Sequence, residues 1–93
     1  METKQRNEGL VLPVVHMNGT GKDTLLEQRE AVYMALRGVE KALRQMSPNG
    51  RDYYVIPGLL PKAQAQHELR MAIIKALMDE MVQECKWIEG RMT

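Results

Sequence analysis

Three polar clusters interrupt a chain that is otherwise patterned for packing helices. The first is His16, Asn18, Gly19, Thr20 and Lys22. A glycine-flanked turn feeding a helix N-terminus offers free backbone N–H groups and a favourable dipole to an anion, and Lys22 adds charge. The competing reading is a capped turn that binds nothing. Gly-Thr-Gly-Lys at 19–22 lacks the spacing of a phosphate loop and its strand framework, so it carries no nucleotide-hydrolase signal. The second cluster is Asn49, Gly50, Arg51, Asp52, Tyr53 and Tyr54. A guanidinium fork pairs with phosphate, and a phenol ring is a face on which a base can stack. The plainer alternative pairs Arg51 with Asp52 and uses both tyrosines to close the end of a helical hairpin. The third cluster is Arg29, His67 and Arg70, charged or polar positions inside apolar helical stripes. Buried without partners these would be costly, so internal acids or a bound anion must satisfy them.

Other chemistries find no support. His16 and His67 have no metal-ligand spacing, and no Ser/His/Asp or Cys/His set has local support. The single cysteine, Cys85, excludes an internal disulfide and a cysteine-cluster zinc site. Non-enzymatic binding is therefore expected, with no cofactor and no metal.

The elements that position these clusters follow from the hydrophobic period. Residues 1–9 are polar and aperiodic, which predicts a disordered N-terminus. Leu10 to Met17 is aliphatic, β-branched and broken by Pro13, which suits an extended arm or edge strand and excludes a central strand. Asn18-Gly19 is turn chemistry, both residues tolerating positive φ. Thr20-Gly-Lys-Asp23 fits a capping box, with Thr20 at the cap.

The first helix, about 21–46, carries the apolar seam Leu25, Val32, Leu36, Val39, Leu43 and Met46, with Arg29 inside it. Beside the seam runs a row of small residues, Ala31, Ala35, Gly38 and Ala42. Together the rows cover nearly half of the circumference, which implies more than one neighbour. Pro48 ends the helix. Pro61 fits the first position of a second helix, about 61–88, with the seam Ala63, His67, Arg70, Ile74, Leu77, Met81, Cys85 and Ile88. Ile88-Glu-Gly-Arg91 is also a recognition sequence used to remove expression tags, so residues 90–93 are set aside as a tail.

The fold expected is all-α: a long antiparallel helical hairpin over 10–89 with an extended N-terminal arm, assembling into a helical-bundle oligomer. Closure near residue 53 would set Arg29 opposite Met78, within reach of Glu80, and His67 with Arg70 opposite Glu40 to Arg37. Each helix would run ~39 Å, so the first two clusters could share a site only across antiparallel subunits. The net charge of +1 excludes a general pull toward nucleic acid. No apolar run is long enough for a membrane span and no signal peptide is visible, which predicts a cytoplasmic protein. Eight methionines and no phenylalanine make the packing surfaces adaptable.

His-x-Asn-Gly-Thr over 16–20, followed by a helix ending in Pro-Asn-Gly-Arg-Asp-Tyr-Tyr over 48–54 and a second long helix, resembles small proteins of bacteriophages. In layout, residues 14–88 look like the helical-hairpin class of phage anti-defence sponges, whose specific match here is those two strings. That resemblance implies an oligomer that sequesters a nucleotide messenger of CBASS or Thoeris immunity without cleaving it. It further implies that Arg51 and Arg70 bind phosphates, that Tyr53 or Tyr54 stacks on a base, and that the turn with Lys22 receives a second phosphate or ribose from a neighbouring subunit. The ligand set expected is thus His16, Asn18, Thr20, Lys22, Arg51, Asp52, Tyr53, Tyr54, His67 and Arg70. Two other classes stay open. One is an interaction module that inhibits a host protein through its methionine-rich faces. The other is a nucleic-acid-binding accessory protein using Arg37, Lys41 and Arg44.

Overall fold

Two helices packed against each other make up the architecture, and no strand occurs among the described residues. The computed structural model describes residues 9–91; the expected disorder of 1–9 falls outside them except for Gly9. Helix α1 spans Lys22–Gln45 and helix α2 spans Leu59–Glu89, with one 3-10 turn, Gly50–Asp52, between them. The chain divides into two compact units, Met1–Met34 with Asp79–Thr93, and Ala35–Met78.

In the first unit the arm, the start of α1 and the end of α2 share a small core. Leu25 and Ile88 are its buried apolar residues, and Ile88 is fully so. Leu10, Leu12, Pro13 and Val15 are half-buried and Val11 and Val14 exposed, so one side of the arm lies on the chain's own helices. The Trp87 indole N–H donates to the Pro13 carbonyl at 3.0 Å. Lys22 Nζ donates to the Arg91 carbonyl at 2.8 Å. The Arg91 guanidinium stacks on the Trp87 ring at 3.7 Å, and its Nε donates to the Trp87 carbonyl. Arg91 therefore belongs to the fold, contrary to its assignment to a tail. The carbonyls left free at a helix C-terminus need donors; Arg91 supplies them to Trp87 and Ile88, and Lys22 in turn holds the Arg91 carbonyl just beyond the helix.

The start of α1 differs from the expected capping box by one residue. Its first bond runs from the Leu25 N–H to the Gly21 carbonyl, which puts Gly21 and not Thr20 at the cap. Asp23 then sits in the first turn, where the helix dipole favours its charge.

The inner row of α1 in this unit is Leu26, Arg29 and Tyr33, while Val32 stays exposed. Arg29 Nε meets Glu84 Oε1 at 2.9 Å, six residues beyond Met78 and about 9 Å farther along the helix than expected. The expected pairing with Glu80 is thus replaced. A wide apolar arc allows several registers, and the one adopted buries the larger Tyr33 and satisfies the Arg29 charge.

In the second unit α1 presents Leu36, Glu40 and Leu43 to α2, which offers Ala63, His67, Met71, Ile74 and Met78. Met71 takes the seam position expected of Arg70, whose guanidinium faces water. Met78 likewise replaces Leu77. Burying an unpaired arginine beside an available methionine would cost several kcal/mol, on the order of 3–5. Glu40, half-buried, is joined by Arg44 at 3.4 Å on the same helix.

The connection does not simply span a gap. Leu60 lies 3.8 Å from a β-carbon placed on Gly50, and Ser47 Oγ lies 3.3 Å from His67 Nε2. The loop therefore folds along the first two turns of α2, and His67 meets Ser47 where Glu40 was expected. Gly58, at φ +82, supplies the left-handed step before α2 begins. Pro61 is the third residue of α2, where its missing N–H still costs no intrahelical bond.

Two consequences can be measured. Trp87→Phe removes one partly buried hydrogen bond worth about 1 kcal/mol, so thermal unfolding followed by circular dichroism should shift down by about 4–8 °C. Glu84→Ala leaves Arg29 without its partner and should cost about 1–3 kcal/mol in urea unfolding, whereas Arg29→Met with Glu84→Met should recover most of it.

Candidate functional site

The ten residues expected to bind ligand fall into two groups, one in each unit. His16, Asn18, Thr20 and Lys22 lie in the first. A turn closes from the Gly19 N–H to the His16 carbonyl at 3.1 Å. The His16 ring folds over Gly19 so closely that a β-carbon there would sit 2.7 Å from Nε2. Gly19 is thus required for room, and its φ is not among the positive ones expected for this turn. His16, Asn18 and Thr20 are exposed beside the free N–H groups of the first turn of α1. Lys22 is half-buried, with one of its three donors committed to the Arg91 carbonyl.

Arg51, Asp52, Tyr53, Tyr54, His67 and Arg70 lie in the second unit. Asn49 caps the 3-10 turn, its side-chain oxygen accepting from the Arg51 N–H at 3.0 Å. Backbone bonds from Asp52 to Asn49 and from Tyr53 to Gly50 hold the same turn. The segment that carries Arg51 is therefore ordered by its own sequence. Tyr53 is half-buried, while Tyr54 is 75% exposed. Arg51 and Asp52 form no ion pair among the described residues, and neither does Arg70. So two guanidiniums without an ion pair among the described residues and an exposed phenol ring lie on one small unit.

Ser47 and His67 invite comparison with a nucleophile and base. Ser47 Oγ donates its one proton to the Arg44 carbonyl at 2.9 Å. His67 Nε2 lies 3.3 Å from the same oxygen. The pair ties α2 to the C-terminal carbonyls of α1.

A groove absent from the sequence-based set opens in the first unit. It has a volume of about 410 Å³ and a floor of Tyr33, Met34, Met81, Val82 and Cys85, with Glu30, Lys86 and Glu89 around it. Sequence reasoning marked Met81 and Cys85 only as seam residues, and passed over Tyr33 because it lies one position beyond the expected stripe. Burial raises the Cys85 pKa, and the nearby Glu30 and Glu89 carboxylates raise it further. A thiol held protonated is a weak nucleophile and metal ligand. No group of three or more metal-binding side chains forms among the described residues.

Because the folded thiol holds its proton more tightly than the unfolded one, its contribution to stability is complete at neutral pH. That contribution is lost as pH rises from 9.0, the ordinary thiol value from which Cys85 is raised, through the raised folded value. Alkylation of Cys85 by iodoacetamide at pH 7.5 should accordingly be slower than that of an unfolded control peptide, with the gap closing on denaturation. Equal rates would show that the groove does not shield the thiol.

Comparison of the chain with protein-family models, with curated proteins and with solved structures finds no match.

Proposed function

We propose that this chain is a non-catalytic, phage-type anti-defence protein that binds and sequesters a nucleotide-derived immune signal of the cyclic oligonucleotide or cyclic ADP-ribose type. On this reading it acts as a homo-oligomer in the cytoplasm of a bacterial host. One observation carries the reading: an ordered 3-10 turn presents Arg51, which makes no ion pair among the described residues, next to the exposed Tyr54. A guanidinium fork and an aromatic face are the two groups that a phosphate and a base require. Arg70, also free, adds a second cation in the same unit. The turn over 16–20 and the first N–H groups of α1 suit a further anionic or ribosyl group. The likeness of the strings 16–20 and 48–54 to phage sponges points the same way. Sequestration needs affinity alone.

A second reading is favoured by the groove of the first unit. Its methionine-rich apolar floor suits a helix or loop of another protein, which the chain would bind and so inhibit. No helix among the described residues is long and apolar enough to cross a membrane.

Native mass spectrometry of the protein purified from cells producing CBASS or Thoeris signals tests the first reading directly, since retained ligand adds its own mass. Arg51→Ala and Tyr54→Ala should each weaken binding of a cyclic dinucleotide or cyclic ADP-ribose by about 10–100-fold, with helix content unchanged. A bare protein that also ignores a panel of such molecules transfers support to the protein-partner reading. Blocking Cys85 in the groove should then abolish partner binding while Arg51→Ala leaves it intact.

A further inference from the structure

The groove of the first unit has an apolar end and an acidic end. Arg29 pairs with Glu84. In antiparallel helices facing residues have numbers of nearly constant sum, so this register puts Met34 level with Met81 and Glu30 level with Cys85. Glu89 follows Cys85 by one turn on the same face of α2. The steps from Met81 to Cys85 to Glu89 cover about 12 Å. Met34 is 59% exposed, and Met81, Val82 and Cys85 are half-buried, so the apolar end opens to water.

Glu30 and Glu89 are exposed, and neither has an ion-pair partner among the described residues. Lys86 also borders the groove, but its charge does not cancel theirs at the floor. After burial, Glu30 and Glu89 act most strongly on the Cys85 thiol, Glu84 adds to them, and Arg29 alone opposes them. The field along the floor is therefore negative. It repels an anion such as a nucleotide, so the groove is not a second version of the site around Arg51.

A negative field over an apolar floor is complementary to a cation with an apolar body. Tyr33 brings an aromatic ring, and the face of such a ring attracts cations. The thioethers of Met34 and Met81 are polarisable and adapt to the shape of what they touch. The volume, about 410 Å³, falls within the range of ~300–1,000 Å³ typical of small-ligand sites. A bare ammonium or metal ion would leave the apolar end unfilled.

We propose that this groove is a binding site for an amphiphilic organic cation, with the apolar body on Met34 and Met81 and the charge held between Glu30 and Glu89. The site does not rest on the nucleotide reading, which concerns the other unit.

Tetraphenylphosphonium and tetraphenylborate, ions of one shape and opposite charge, separate the effect of charge from that of apolarity. Equilibrium dialysis of the purified chain at low salt should show the phosphonium bound about tenfold more tightly or better. Bound phosphonium should slow iodoacetamide alkylation of Cys85 in step with occupancy, which locates it in the groove. Glu30→Gln with Glu89→Gln should weaken phosphonium binding about tenfold, with helix content unchanged by circular dichroism. Should the double variant lose helix content, the single variants take its place, each about threefold weaker than the wild type. Equal binding of the two ions would show a merely apolar groove and overturn the proposal. So would a preference for the borate, phosphonium binding that leaves Cys85 alkylation unchanged, variants that bind as the wild type does, or a wild type that ignores the phosphonium.

Discussion

Two helices exclude water only along the line where they touch, and every feature of this chain follows from how little that line can bury. Leu25 and Ile88 are the buried apolar residues among those described, both in the unit where the arm adds a third layer. Where the arm is present, the Trp87–Pro13 hydrogen bond and the Lys22–Arg91 contact join three segments and make a core. The second unit has no such third layer, and its helix pair keeps Val39, Met46, Ile73 and Leu77 in contact with solvent. A chain of this size generally recovers such deficits through metals, disulfides or assembly.

The same shortage explains why polar groups sit in the helix contacts. Arg29 and Glu84 satisfy each other in the first unit, while Ser47 and His67 tie helix to loop in the second. A single packing layer leaves water near these groups, so the desolvation penalty of a deeper core is reduced. In return such pairs specify register, which an apolar stripe of valine, leucine and methionine leaves loosely determined. The register adopted in each unit places a charge or a polar hydrogen bond on a partner, at the expense of leaving Val32 and Val39 outside.

The groups free for ligand chemistry are those the packing does not consume. Arg51, Tyr54 and Arg70 face water because the loop lies along α2 instead of capping the helix ends. Lys22 and Arg91, which composition alone would count as available cations, are partly committed to backbone carbonyls. The groove around Tyr33 and Cys85 arises where two half-buried rows diverge around small and flexible side chains. Its apolar floor and the loop with Arg51 and Tyr54 are different surfaces with different chemistry, so substitutions in one can be tested apart from the other.

Local chemistry was enough to read the helices, their ends and the character of each cluster. Capping preferences, proline positions and the 3.6-residue period act within a few residues of chain, so α1 and α2 fall within two residues of the ranges read from sequence. The pairing of one helix with the other was not legible in the same way. Arg29 was placed opposite Met78 and found at Glu84, and Arg70 and Leu77 gave their seam positions to Met71 and Met78. An apolar arc spanning nearly half of the helix accommodates several registers of similar burial, and the choice among them rests on contacts between residues tens of positions apart. For the same reason the roles of Arg91, His67 and Tyr33 emerged only in the folded chain. Sequence determined which residues are helical and which are polar; tertiary structure alone decided which of them face each other, because only there do distant side chains compete for the same contact.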